Sequence, residues 1–245
     1  MKKDPIVIHV PHASTLIPED ERGYEADLKT ELLKLTDHYC DELFCGSRPS
    51  VVFPVNRLVC DPERFRSDED ECMARVGMGA VYTRAHDGAV LRNITPGERE
   101  RILVKYYDPH HARLTEAVGK AIEDAGRCLI VDGHSFSAEP LPFEADQDPD
   151  RPDICIGTDP FHTPPELAAA ALDLMRGLGY SVKADRPFSG AITPLAYYRR
   201  EPRVKSIMIE LNRRLYMDAH GRKSGGFEAV RNDVQTLIER LARMI

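Results

Sequence analysis

Along most of this chain, short apolar runs of strand length alternate with segments of helical periodicity. That alternation restricts the fold to an α/β sheet with crossover helices. Residues 6–10, 51–55, 128–131, 154–156, 180–184 and 204–211 read as strands. Pro54 marks the second of these as an edge strand or a bulge. Helical periodicity runs over 26–44, with Leu28, Leu32, Leu35, Tyr39 and Leu43 on one face, and again over 165–176. Another helix carries Leu114, Val118, Ala121, Ile122 and Ala125, and Gly126 is placed to end it. The last helix is amphipathic, with Phe227, Val230, Val234, Leu237, Ile238 and Leu241 on its apolar face. Residues 67–97 are irregular, with a hairpin turning at Asp87-Gly88. Residues 138–153, rich in Pro, Asp and Glu, read as an exposed loop or lid. With no internal repeat and no linker, the 245 residues are expected to form one α/β domain over 1–245.

Charge and cysteine usage narrow the partners. A net charge of -7 leaves no basic footprint for nucleic acid and disfavours anionic membrane surfaces. No apolar run approaches the length of a membrane span, and the N-terminal segment lacks the apolar core of a signal peptide. The six cysteines, Cys40, Cys45, Cys60, Cys72, Cys128 and Cys155, show no paired spacing. They are expected to be reduced and structural, which points to the cytoplasm. The partner this leaves is a small molecule, and an anionic one would need locally concentrated arginines.

Three strands run straight into ionisable residues, and in open α/β sheets ligands bind beyond the carboxyl ends of strands. The first leads to His12, the third to Asp132 and His134, and the last to Glu210. Gly133 permits a close backbone approach beside His134, and Ser135 can orient a neighbour. Two imidazoles holding a metal need a third ligand, normally a carboxylate, and an open position for water. With Leu28 as origin and about 100° per residue, Asp37 falls at the edge of the apolar arc while His38 points to solvent. The helical face therefore favours Asp37. Period-2 alternation sets Met208, Glu210 and Asn212 on one face of the last strand. A carboxylate in so apolar a strand needs a cleft, a metal or a partner. Glu210 is thus either a general base for water or half of a buried ion pair with Arg213 or Arg57. Arg57 and Arg64 flank Asp61 just after a strand, and guanidinium groups suit bidentate carboxylate recognition.

Taken in order, these segments resemble the N-formylglutamate amidohydrolases. The matching residues are Val10-Pro11-His12-Ala13-Ser14, Thr36-Asp37-His38-Tyr39, the run from Asn56 to Arg64, Tyr106 to His111, Asp132-Gly133-His134-Ser135, Ile154 to Gly157, Pro187 to Gly190, and Ile209 to Arg213. The resemblance implies a fold related to the zinc carboxypeptidases and aspartoacylases, of the phosphorylase/hydrolase type: a mixed, mainly parallel sheet flanked by helices. It implies metal-dependent hydrolysis of the amide of an N-acylated acidic amino acid such as N-formylglutamate, with one divalent ion, zinc, as cofactor. Carried over by position, His12, Asp37 and His134 would bind the metal, and Glu210 would activate water. Arg57 would serve both catalysis and substrate binding, with Arg64, His111, Asn212 and Ser135 also contacting substrate. Arg186, Gly190-Ala191 and the Tyr106–His111 run depart from the usual family pattern near the expected pocket. Other N-acyl amino acids or esters, and a non-catalytic carboxylate binder, are the alternatives that follow.

Overall fold

The computed structural model describes residues 4–21 and 23–245. Its elements, in chain order, are β1 (Ile6–Val10), α1 (Leu28–Leu35), α2 (Cys40–Phe44), β2 (Ser50–Val52), α3 (Pro96–Ile102), α4 (Asp108–Ala125), β3 (Cys128–Phe136), β4 (Ile154–Gly157), α5 (Pro165–Gly177), β5 (Val182–Ala184), β6 (Val204–Asn212) and α6 (Phe227–Ala242). The strands form a six-stranded sheet in the order β2-β1-β3-β6-β4-β5. Only the β4–β6 pair is antiparallel. The alternation predicted an α/β sheet, and this is the mixed, mainly parallel one that the family resemblance implies; β2, the strand limited by Pro54, lies at its edge.

Period-2 alternation divides the sheet cleanly into two faces. Ile6, Ile8, Val10, Leu129, Val131, Ile207, Ile209 and Leu211 pack in one buried cluster with Phe44, Leu167, Val234 and Leu237, so α2, α5 and α6 cover that face. Val7, Cys128, Ile130 and Val204 pack against Leu114, Val118 and Ala121 of α4 on the other. The helix covers only the first part of this second face. Further along the same face, the residues of matching parity turn polar: His9, Asp132, His134 and Glu210. Parallel pairing sets His9 beside Asp132 and His134 beside Glu210.

Strand ends shift by a few residues, β3 running on to Phe136, and two helix readings change. The helix read over 26–44 is two helices, broken at Thr36, which is extended, and at Tyr39, which has a left-handed backbone (φ 65°). The break has a partner outside the helix: the Asp37 N–H donates to the His12 carbonyl at 3.0 Å, docking the link onto the segment after β1. Asp37 therefore reaches the sheet from a helix break, not from a helical face, and His38 turns back to hydrogen-bond the Leu32 carbonyl at 3.2 Å. The helix ending at Gly126 is also longer than its apolar pattern. It begins in a capping box at Thr95 and passes through a π-helical turn, Leu103–Tyr107, before continuing as α4. Pro109 in the first turn of α4 lacks an N–H, which accounts for a local change in hydrogen-bond register.

Gly133 lies on the crowded face of β3. A Cβ built there would stand 2.6 Å from the Phe44 ring, and both neighbours are held by strand pairing. Gly133→Ala should therefore destabilise the fold by about 1–3 kcal/mol, the usual cost of overpacking a core, as read from the urea midpoint. An unchanged midpoint would show that α2 does not press against β3 as described.

Candidate active site

The polar end of the sheet opens into a cavity of about 490 Å³. His12, Asp37 and His134, all buried, present three ligand atoms to one point. Asp37 Oδ2 lies 3.6 Å from His12 Nδ1 and 3.2 Å from His134 Nδ1. Ligands about 2.0–2.2 Å from a tetrahedral ion stand on the order of 3.3 Å from one another, so these separations suit an ion at their centre. Each group is oriented by a partner on its far side. His12 Nε2 donates to Asp61 Oδ1 at 2.8 Å, which leaves Nδ1 as a buried lone pair with no hydrogen-bond partner. His134 Nε2 donates to Asp132 Oδ1, with Glu63 Oε2 equally close at 3.1 Å. Arg213 holds Asp37 Oδ1 at 3.0 Å, and the Ser135 N–H donates to Oδ2 at 3.2 Å, which fixes that oxygen between the two imidazoles. Such outer partners fix the tautomer and angle of metal-binding imidazoles.

The carboxylates around the two imidazoles favour positive charge at this point: burial alone would lower the His134 pKa, but the charges of Glu63 and Asp132 hold it well above the ordinary imidazole value. Burial alone would raise the Asp37 pKa, but the neighbouring His12 and His134 imidazoles, with the Arg213 charge, hold it well below the usual carboxylate range. Asp61 is likewise held well below that range against burial, chiefly by the Arg57 charge and then by His12. Glu210 behaves oppositely. Burial pushes its pKa up to about 8, and its Oε2 has no hydrogen-bond partner among the described residues. Glu210 lines the cavity beside His134 and makes no ion pair with Arg213 or Arg57, which are engaged with Asp37 and Asp61 instead.

The remaining sequence-derived residues separate into two groups. Arg57, Arg64, His111 and Ser135 all reach the cavity wall. Arg57 Nη2 is bonded to Asp61 at 2.7 Å and its Nε also to the Tyr82 hydroxyl at 3.1 Å, whereas Arg64 uses its Nε on the Met78 carbonyl at 3.3 Å. His111 donates Nε2 to the Pro62 carbonyl at 2.8 Å, and the Tyr107 hydroxyl donates to the Arg64 carbonyl at 2.8 Å, so the start of α4 braces the arginine segment. Ser135 accepts from Arg213 Nε at 3.2 Å. Asn212 is not at the cavity wall. It is fully buried, donating to the Pro152 carbonyl and accepting from the Arg214 N–H, because the loop before β4 folds over the end of β6. The sequence reading overlooked His9 and Glu63. His9 bonds Asp132 at 2.8 Å and His110 at 2.9 Å. A histidine inside the apolar run Ile6–Val10 was the available signal.

A sheet-end cavity with two imidazoles, a carboxylate and an unpartnered glutamate is the arrangement of a hydrolytic α/β enzyme. A sequence profile of the N-formylglutamate amidohydrolases matches residues 4–217, so the chain belongs to that family. The N-formylglutamate amidohydrolase of Ralstonia eutropha JMP134 is similar in structure, with a TM-score of 0.87 and 25% sequence identity over 98% of this chain and 94% of that one. A gene product of Agrobacterium tumefaciens shares the fold at a TM-score of 0.71 and 19% identity, over 99% and 92% of the two chains. Comparison with curated protein sequences gave no match.

Asp61 is fully buried and bonded to His12, Arg57 and Tyr82 together. Removing one member of a buried ion pair typically costs about 3–5 kcal/mol, and Asp61→Ala should lose stability in that range in urea denaturation. A loss under about 1 kcal/mol would show that Arg57 is not held as described.

Proposed function

We propose that this chain hydrolyses the amide bond of an N-acylated amino acid, of the N-acyl acidic class, with one divalent ion held by His12, Asp37 and His134. The donor set of two imidazoles and one carboxylate with an open position suits zinc. The unpartnered His12 Nδ1, buried and aimed toward Asp37, is the observation that supports an ion there. Such an ion, when bound, supplies positive charge that polarises the acyl carbonyl and acidifies a water.

The chain's own residues account for the rest. Glu210 takes the proton of the attacking water as its oxygen bonds to the acyl carbon. It then returns that proton to the leaving nitrogen as the C–N bond breaks, giving the carboxylic acid and the amine, which together settle as carboxylate and ammonium. Burial keeps the carboxyl of Glu210 near the pKa range in which it can both accept and release a proton. Arg57 and Arg64 offer guanidinium N–H groups to the substrate carboxylate, and Lys34 is a third cation on the cavity wall. Asp61 holds Arg57 in place, so little side-chain entropy is lost on binding.

Two measurements on one preparation test this reading. Chelation should abolish release of carboxylate from N-acyl glutamates, and added zinc should restore it. Glu210→Gln should remain folded and metal-loaded while kcat falls about 10²–10⁴-fold, the usual contribution of a positioned general base. A metal-loaded Gln variant with near-normal kcat would remove Glu210 from the mechanism, and chelator-resistant turnover would remove the ion.

A further inference from the structure

The cavity has a second half that an N-formyl dicarboxylate does not fill. A dozen non-hydrogen atoms displace on the order of 150 Å³, about five waters' share of the liquid, against a cavity of about 490 Å³. The two halves also differ in chemistry. Arg57 and Arg64 belong to the segment that packs beside β1 and β2, since the Phe53 N–H bonds the Val10 carbonyl and the Asn56 N–H the Leu16 carbonyl. On the other side of His134 and Glu210, toward β4, the wall carries Phe136, at the end of β3, and Phe188, whose carbonyl accepts from Cys155 Sγ of β4 at 3.1 Å.

That apolar wall is built and braced. The Phe136 and Phe188 rings meet edge-to-face at 5.8 Å, a favoured aromatic geometry. The Arg151 guanidinium lies 5.7 Å from both ring centroids, with its side chain 1% exposed. Its charge is answered by Glu144, and it also bonds the Ser137 and Asp146 carbonyls, so it stiffens the rings and offers no charge to a ligand. The Ile192 N–H is tied to Asp132 Oδ2 at 3.3 Å, which anchors the loop carrying Phe188 to the sheet. Leu195 remains 70% exposed at the rim. Preformed apolar surface beside convergent polar groups is the usual construction of a small-molecule subsite.

We infer that this half of the cavity is an acyl subsite for a bulky apolar acyl group of arylacetyl size, so that the preferred substrates are N-arylacetyl and not N-formyl derivatives of an acidic amino acid. The inference rests on the amide hydrolysis proposed above. With the amino-acid carboxylate at Arg57 and Arg64 and the scissile bond at His134 and Glu210, the acyl group extends over Phe136 and Phe188. The one cation beside these two rings, Arg151, is already engaged by Glu144 and by the Ser137 and Asp146 carbonyls.

The test compares kcat/KM for N-formyl-, N-acetyl- and N-phenylacetyl-L-glutamate with zinc-loaded protein. Phenylacetyl should exceed formyl by about tenfold or more, the discrimination expected from burying an aromatic group. Phe188→Ala should lower the phenylacetyl-to-formyl ratio by about tenfold. Leu195→Asp, at an exposed position where folding is not at risk, should lower it in the same direction. Turnover of N-formylglutamate with no gain for phenylacetyl, or ratios unchanged in both variants, would overturn the acyl subsite while leaving the hydrolase reading intact. Absence of turnover for all three substrates would overturn both.

Discussion

The parallel pairing of β3 with β6 is the constraint from which the site follows. It runs in register over nine residues, Cys128–Phe136 against Val204–Asn212, and sets His134 beside Glu210. Because side chains alternate with period 2, a slip of one residue would send Glu210 into the apolar face under α6 and bring Leu211 or Ile209 to the cavity. The register is specified by the same alternation: Ile207, Ile209 and Leu211 are fully buried on the α6 side. The hydrophobic core thus chooses which carboxylate reaches the site.

Around that pair, charge is stored in a low-dielectric environment and each piece has a partner except where a ligand would supply one. Arg213 compensates Asp37, Arg57 compensates Asp61, and Asp132 is shared between His9 and His134. Buried polar groups left without hydrogen bonds are costly and rare. Two of those here, His12 Nδ1 and Glu210 Oε2, belong to residues lining the same cavity. Under the proposed reading, an ion would satisfy the first and a reacting proton the second.

Much of this was legible in the sequence, and the parts that were not have physical reasons. The strands and their polar ends could be read because buried parallel strands are continuous apolar runs, so Asp132, His134 and Glu210 stand out against them. The break at Thr36 could not be read, since the apolar spacing of 28–44 continues across it. The hydrogen bond that breaks the helix is made to His12, a residue distant in sequence. Asn212 was placed at the pocket by resemblance, and neither a motif match nor its face on β6 reveals the 149–153 loop that folds over the strand end. His9 and Glu63 escaped notice because their roles depend on cross-strand neighbours, and register is a tertiary property.

The proposed metal reading requires His12 and His134 to coordinate through Nδ1, since their Nε2 atoms are engaged by Asp61 and by Asp132 with Glu63. Anomalous diffraction at the zinc edge, on crystals of the zinc-loaded protein, tests it most directly. The account predicts one ion within about 2.0–2.3 Å of both Nδ1 atoms and an Asp37 oxygen. An ion bound through either Nε2, or one that leaves Asp37 out of its coordination sphere, would contradict it.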